Sequence, residues 1–62
     1  MKRKDLLKQL AAEGCVLLRH GSNHDVYINP KTGARQPVPR HNEIDEHLVK
    51  HIKKYLGLEE TR

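Results

Sequence analysis

The sequence predicts an α+β fold of order α-β-β-β-α, a three-stranded antiparallel sheet with two helices on one face. Three observations predict it. Apolar residues recur at helical spacing in two stretches, one toward each end of the chain. Three short extended segments, separated by turn formers, lie between them. A glycine follows each helical stretch, Gly14 and Gly57, where the chain needs the left-handed cap that glycine takes without strain.

The first helix is predicted over residues 3–13. Leu6, Leu7, Leu10 and Ala11 make its apolar stripe, and Gly14 stops it. CVLLR, residues 15–19, is too short for a helix and reads as a strand, with Cys15 as a small packed side chain. His20, Gly21 and Ser22 make a turn. HDVYIN, residues 24–29, then alternates: His24, Val26 and Ile28 share one face, Asp25 and Tyr27 the other. The apolar pair is expected to face the helices, so His24 is expected to lean toward the helix side at the margin of the sheet.

NPKTG, residues 29–33, is dense in turn formers and leads into ARQPVP, residues 34–39. Pro37 and Pro39 are two apart, so their missing N–H groups fall on one side of the strand. Such a strand belongs at a sheet edge. Asn42 or Asp45 can cap the second helix, and Glu43, Asp45 and Glu46 put negative charge near its start, where the dipole favours it. Ile44, Leu48, Val49, Ile52, Tyr55 and Leu56 form the expected buried stripe. Lys50, Lys53 and Lys54 lie off it. Leu58 can fold back over the Gly57 cap, and residues 59–62 read as a polar tail. The far face of the sheet is left open.

With 62 residues the chain is read as one domain over 1–62, with a core of about 3–58. A chain this short buries only about 60% of its unfolded surface, which leaves no room for a deep substrate cavity. Chemistry on an open face suits a large substrate. Lys and Arg outnumber Asp and Glu 12 to 8, a net charge of +4, which favours a polyanionic partner, nucleic acid first. The single cysteine cannot form an internal disulfide, and no zinc-ligand pattern accompanies it. No signal peptide and no apolar run of membrane-spanning length are present, so the expected location is cytoplasmic, with no membrane partner. No P-loop or dinucleotide glycine pattern occurs, and no cofactor or metal is expected.

Five histidines remain as candidates for chemistry. His47 and His51 have the i, i+4 spacing of metal ligands, but no glutamate base stands between them and no third ligand is evident, so they read as solvated side chains flanking the apolar stripe. Ser22 beside His24 fits a turn residue better than a nucleophile. A basic surface with a histidine leaves one economical chemistry, cleavage of RNA, because RNA supplies its own nucleophile in the 2′-hydroxyl. The protein then needs a proton carrier and a cation beside the phosphate. A purely structural histidine is the competing reading from the residues alone.

From residue 3 to residue 58 the chain resembles the HicA family of toxin–antitoxin modules. The resemblance rests on the first helix ending in AAEG, on GSNHDVY, on VPRH and on EIDEHLVKHIKKYLGL, in that order and at these spacings. It implies an RNase toxin acting on mRNA, a fold like the double-stranded-RNA-binding domain, and a catalytic histidine in the GS-x-H region, which here is His24. Many members carry two histidines after Gly-Ser. Asn23 takes the first position here, so only His24 can fill the role. Cys15 stands where a large aromatic is common, a difference of packing.

The resemblance also implies a HicB-type antitoxin partner that covers the active face, with operator DNA bound only through the antitoxin complex. Arg19, Arg40 and His41 are the candidates for phosphate contact, with Ser22 beside them in the turn. Lys50, Lys53 and Lys54 are candidates for general RNA attraction. The alternative is a non-catalytic double-stranded-RNA-binding module, since the GSNHDVY turn also resembles the loop between the first two strands of such domains. Their lysines open the last helix, whereas here that helix opens with EIDE.

Overall fold

A computed structural model of the chain describes residues 1–58. Helix α1 spans Arg3–Ala12, strands β1, β2 and β3 span Val16–His20, His24–Asn29 and Ala34–Pro39, and helix α2 spans Glu46–Tyr55. The order is the predicted one. The sheet is antiparallel in the order β1-β2-β3, so the proline-bearing β3 lies at an edge. The polar tail expected at 59–62 lies outside the described residues.

Both helices end in the same way. After α1, Gly14 takes φ +91°, its N–H donates to the Ala11 carbonyl, and the Cys15 N–H donates to Leu10. After α2, Gly57 takes φ +79°, its N–H donates to Lys54, and the Leu58 N–H donates to Lys53. These paired bonds satisfy carbonyls that the helix leaves without partners. They also turn Cys15 and Leu58 back toward the core, where Cys15 is buried and Leu58 packs against its rim.

Helix α2 is capped by Asp45, whose carboxylate accepts from the His47 N–H at 2.9 Å. Ile44 therefore precedes the helix and does not belong to its stripe. It is buried all the same, and with Val49 four residues into the helix it makes the apolar pair that fixes the entry of the chain. The Ile44 N–H donates to the Met1 carbonyl, and Lys2 bridges Glu43, so the start of the chain runs beside the segment leading into α2. Tyr55 also departs from the predicted stripe. It is 52% exposed and its ring lies 4.4 Å from that of His51. Ala11 of α1 is exposed, because Leu6 and Leu10 alone reach the centre of the core.

The core consists of Leu6, Leu10, Cys15, Val38, Ile44, Val49, Ile52 and Leu56. Both helices contribute, so both cover one face of the sheet. Val38 identifies that face. It is fully buried and pairs with Asp25 across the β2–β3 ladder. Directly paired residues in an antiparallel ladder share a face. Asp25, Tyr27 and Asn29 therefore point toward the helices, and His24, Val26 and Ile28 point to the open side.

This reverses the expected orientation of β2. Alternation gives two faces but does not say which is covered. Val38, the helices, Cys15 and Ile44 already fill most of the narrow core. The covered face of β2 instead carries two polar residues, Asp25 and Asn29, which are 7% and 3% exposed and fully bonded. Tyr27, between them, packs against the core.

Strand β1 begins one residue later than expected and takes in His20, which the sequence placed in the turn. Its ladder with β2 contains a bulge. Val16 and Leu17 pair with Ile28 and Tyr27, but Arg19 and His20 pair with Val26 and Asp25, leaving Leu18 as the extra residue. The bulge resets the facing of the strand's end. Arg19 joins Val26 and His24 on the open side, and His20 comes to stand opposite Asp25.

Candidate active site

The β1–β2 turn, Gly21 to Asn23, is held from within the sheet. Asp25 is the centre of the arrangement. Its Oδ1 accepts from Arg40 Nη2 at 2.7 Å, from Arg40 Nε at 3.1 Å and from His20 Nδ1 at 2.8 Å. Its Oδ2 accepts from Arg3 Nη2 at 2.8 Å. Arg3, the first residue of α1, also donates from Nε to the Pro39 carbonyl at 2.8 Å. One buried carboxylate thus joins α1, the end of β1 and the exit of β3. Hydrogen bonds from Arg40 and then His20 hold its carboxyl far below the ordinary value of 3.8, against the opposing push of burial.

Arg40 extends the hold to the turn itself. Its Nη2 donates to the Gly21 carbonyl at 2.7 Å, with a longer contact of 3.5 Å to the His24 carbonyl, and its Nη1 donates to the Ser22 carbonyl at 3.3 Å. The planar guanidinium fork suits this work, since one cation binds a carboxylate and several carbonyls at once. The Gly21 N–H closes the turn on the His24 carbonyl at 2.7 Å. A Cβ at position 21 would lie 2.7 Å from that same oxygen and 3.7 Å from the His24 ring. Glycine is required there for space.

His24 opens β2 on the uncovered face, half-buried against Gly21. Among the described residues neither nitrogen of its ring has a hydrogen-bond partner. Its backbone is held by the turn, and both ring nitrogens are unengaged. Arg19 is exposed on the same face, beside Val26. The strands carry no acidic residue besides the buried Asp25, so this face presents Arg19, Arg35 and His24 around Val16, Val26, Ile28 and Pro37.

The remaining predicted contacts are dispersed. Ser22 and His41 are exposed near the turn and the end of β3. Lys50 and Lys54 are exposed on α2, while Lys53 is half-buried in a shallow groove with Gln9, Glu13 and Leu58 at the other end of the helices. A second open groove, lined by Lys2, Arg3, Lys4, Leu7, Asn42 and Glu43, contains none of the histidines. Arg40, a candidate for phosphate contact, has its guanidinium bonded to Asp25 and the turn carbonyls, with the side chain 41% exposed. Sequence reasoning missed Asp25, His20 and Arg3. The one available signal was a charged residue at alternate spacing with Tyr27 in an otherwise uncharged strand.

Residues 3–58 match the model of a family described as the HicA toxin of bacterial toxin–antitoxin systems. No curated protein and no solved structure matches.

Proposed function

The chain belongs to the HicA toxin family, and from that premise we propose that it is an endoribonuclease toxin that cleaves mRNA with His24 as a proton-transfer group. The family match over 3–58 is the observation that carries this reading. The site's geometry supports it. Transesterification of RNA needs a group that moves a proton near neutral pH, positioned without freedom to drift, and needs no nucleophile from the protein. His24 has an unengaged ring on a turn that Arg40 and Asp25 hold at both of its ends. No resident metal is required for such a step, because the attacking oxygen is the substrate's own.

In this reading Arg19, sharing the open face with His24, offsets charge on the phosphate. Ser22 and His41 flank the strand's path. Arg40 acts chiefly by positioning the turn. Lys50 and Lys54 add long-range attraction for RNA, and Lys53 contributes less because it is half-buried. The partner is a HicB-type antitoxin that covers the open face, and operator DNA is bound through that complex. The setting is cytoplasmic. No helix of the described residues is long and apolar enough to cross a membrane.

The element order is also that of a double-stranded-RNA-binding module, the second reading. The ends of α2 argue against it. Asp45 and Glu46 open the helix, and Lys53 and Lys54 close it, the reverse of what phosphate capture at the helix start requires. His24→Ala separates the two. The variant should keep its circular dichroism and its affinity for single-stranded RNA, while the cleavage rate falls by about 10²–10⁴-fold. A wild type that binds duplex RNA and cuts no RNA supports the module instead.

A further inference from the structure

We infer that His20 is a second proton-transfer group, its ring held by Asp25 so that Nε2 accepts the proton of the attacking 2′-hydroxyl. This rests on the ribonuclease reading above and adds a residue that neither the motif nor the sequence pattern marks.

The geometry fixes the tautomer. Nδ1 of His20 lies 2.8 Å from Asp25 Oδ1. Asp25 also takes three bonds from Arg3 and Arg40, so its carboxylate can only accept. The hydrogen between the two residues therefore sits on Nδ1, and Nε2 of the neutral ring carries the lone pair. A carboxylate behind a histidine orients its ring in this way in many acid–base sites and stabilises the imidazolium that forms. The side chain of Asp25 is 10% exposed, whereas that of His20 is 71% exposed. The anchored end is inside and the basic end faces solvent. The charged groups around the pair are Asp25 from β2, Arg3 from α1 and Arg40 from the exit of β3.

His20 and His24 stand at the two ends of the same short turn and on opposite faces of the sheet. Gly21 lies between them and presents no side chain. In-line displacement at phosphorus places the attacking and leaving oxygens on opposite sides of the reacting atom. A strand laid across Gly21 would meet one imidazole on each side. Nε2 of His20 takes the 2′-hydroxyl proton as O2′ bonds to phosphorus. The P–O5′ bond breaks, and protonated His24 gives its proton to the departing O5′. The products are a 2′,3′-cyclic phosphate and a 5′-hydroxyl, with one proton taken and one returned. The bulge at Leu18 is what makes this arrangement. Without it Arg19 would stand opposite Asp25.

The decisive variant is His20→Asn. Its amide N–H stands where Nδ1–H stood and keeps the bond to Asp25, while the proton acceptor is gone. The assay is cleavage of a labelled single-stranded RNA by the purified chain across pH, with circular dichroism and RNA affinity measured alongside. The wild type should show a bell-shaped profile of kcat/KM and a 2′,3′-cyclic phosphate product. His20→Asn should bind RNA equally, cleave about 10²-fold or more slowly, and lose the acidic limb of the bell while keeping the alkaline one. If His20→Asn does not fold, His20→Ala supplied with free imidazole replaces it, and recovery of rate is expected. A wild-type-like rate and bell in the folded Asn variant, or no imidazole rescue of the Ala variant, overturns the role of His20 and leaves the ribonuclease reading intact. A wild type that cuts no RNA overturns both.

Discussion

The covered face of β2 carries two buried polar residues four positions apart, and they hold the two ends of the molecule by different means. At one end Asp25 gathers Arg3, Arg40 and His20 into a charged knot beneath the β1–β2 turn. At the other, Asn29 donates from Nδ2 to the Leu56 carbonyl at 2.6 Å and accepts from the Lys31 N–H at 3.1 Å. The Asn29 backbone carbonyl also receives the Gly33 N–H at 2.7 Å, closing the β2–β3 turn. Both residues tie a hairpin to a helix end. One does so with a full charge and three side-chain partners, the other with a neutral amide that bonds two backbone groups, the Leu56 carbonyl and the Lys31 N–H. The charged end is the one that carries the candidate chemistry. A charge so deeply engaged fixes orientation well but depends on every charged partner, whereas the amide end relies on backbone groups that no side-chain change removes.

The contrast breaks most visibly at Asp25. Asp25→Ala leaves two arginines and a histidine without their common acceptor. Its thermal midpoint should drop further than that of any change at the Asn29 end, and RNA cleavage should be abolished. A melting curve no lower than that of Asn29→Ala would remove the distinction between the two ends. Asn29→Ala should cost about 1–3 kcal/mol, the usual penalty for stranding a buried carbonyl, read from urea denaturation. Its cleavage rate per folded molecule should match the wild type, because the change lies at the far end of the strand. A tenfold loss of rate would show that the ends are coupled through β2.

The finest test is acid. A carboxyl whose native pKa is depressed contributes stability that is complete above its ordinary value, 3.8, and is lost as pH falls below that value toward the native one. The Asn29 end forms its bonds without a titrating group. On lowering pH below about 4, amide exchange at Gly21 should therefore accelerate before exchange at Gly33. Simultaneous loss of protection at both would mean that Asp25 stabilises the whole fold and not one end of it.

Much of this architecture was legible beforehand for local reasons. The helix stops at Gly14 and Gly57, the turn at 29–33, the edge placement of Pro37 and Pro39 and the cap at Asp45 each follow from the backbone chemistry of a few neighbouring residues. His24 was found through its resemblance to a family motif, since one exposed imidazole among five carries no pattern of its own. The errors came where local pattern does not reach. Ile44 is as apolar before the helix as it would be within it, and only the Asp45 cap decides which. Val26 and Ile28 look like core residues, yet they face the open side.

The sequence by itself determined the order of the elements, their stops and turns, the basic character of the surface and the placing of His24 at the start of a strand. Those properties depend on periodicity and on single-residue conformational preference, which act over a few positions. Only the tertiary structure decided which face of the sheet is covered, that a one-residue bulge sets His20 against Asp25, and that Arg3 and Arg40 converge there. Each of these joins segments up to 36 residues apart, from Arg3 to Pro39. A contact at that range depends on how the layers pack, and no local preference along the chain encodes it.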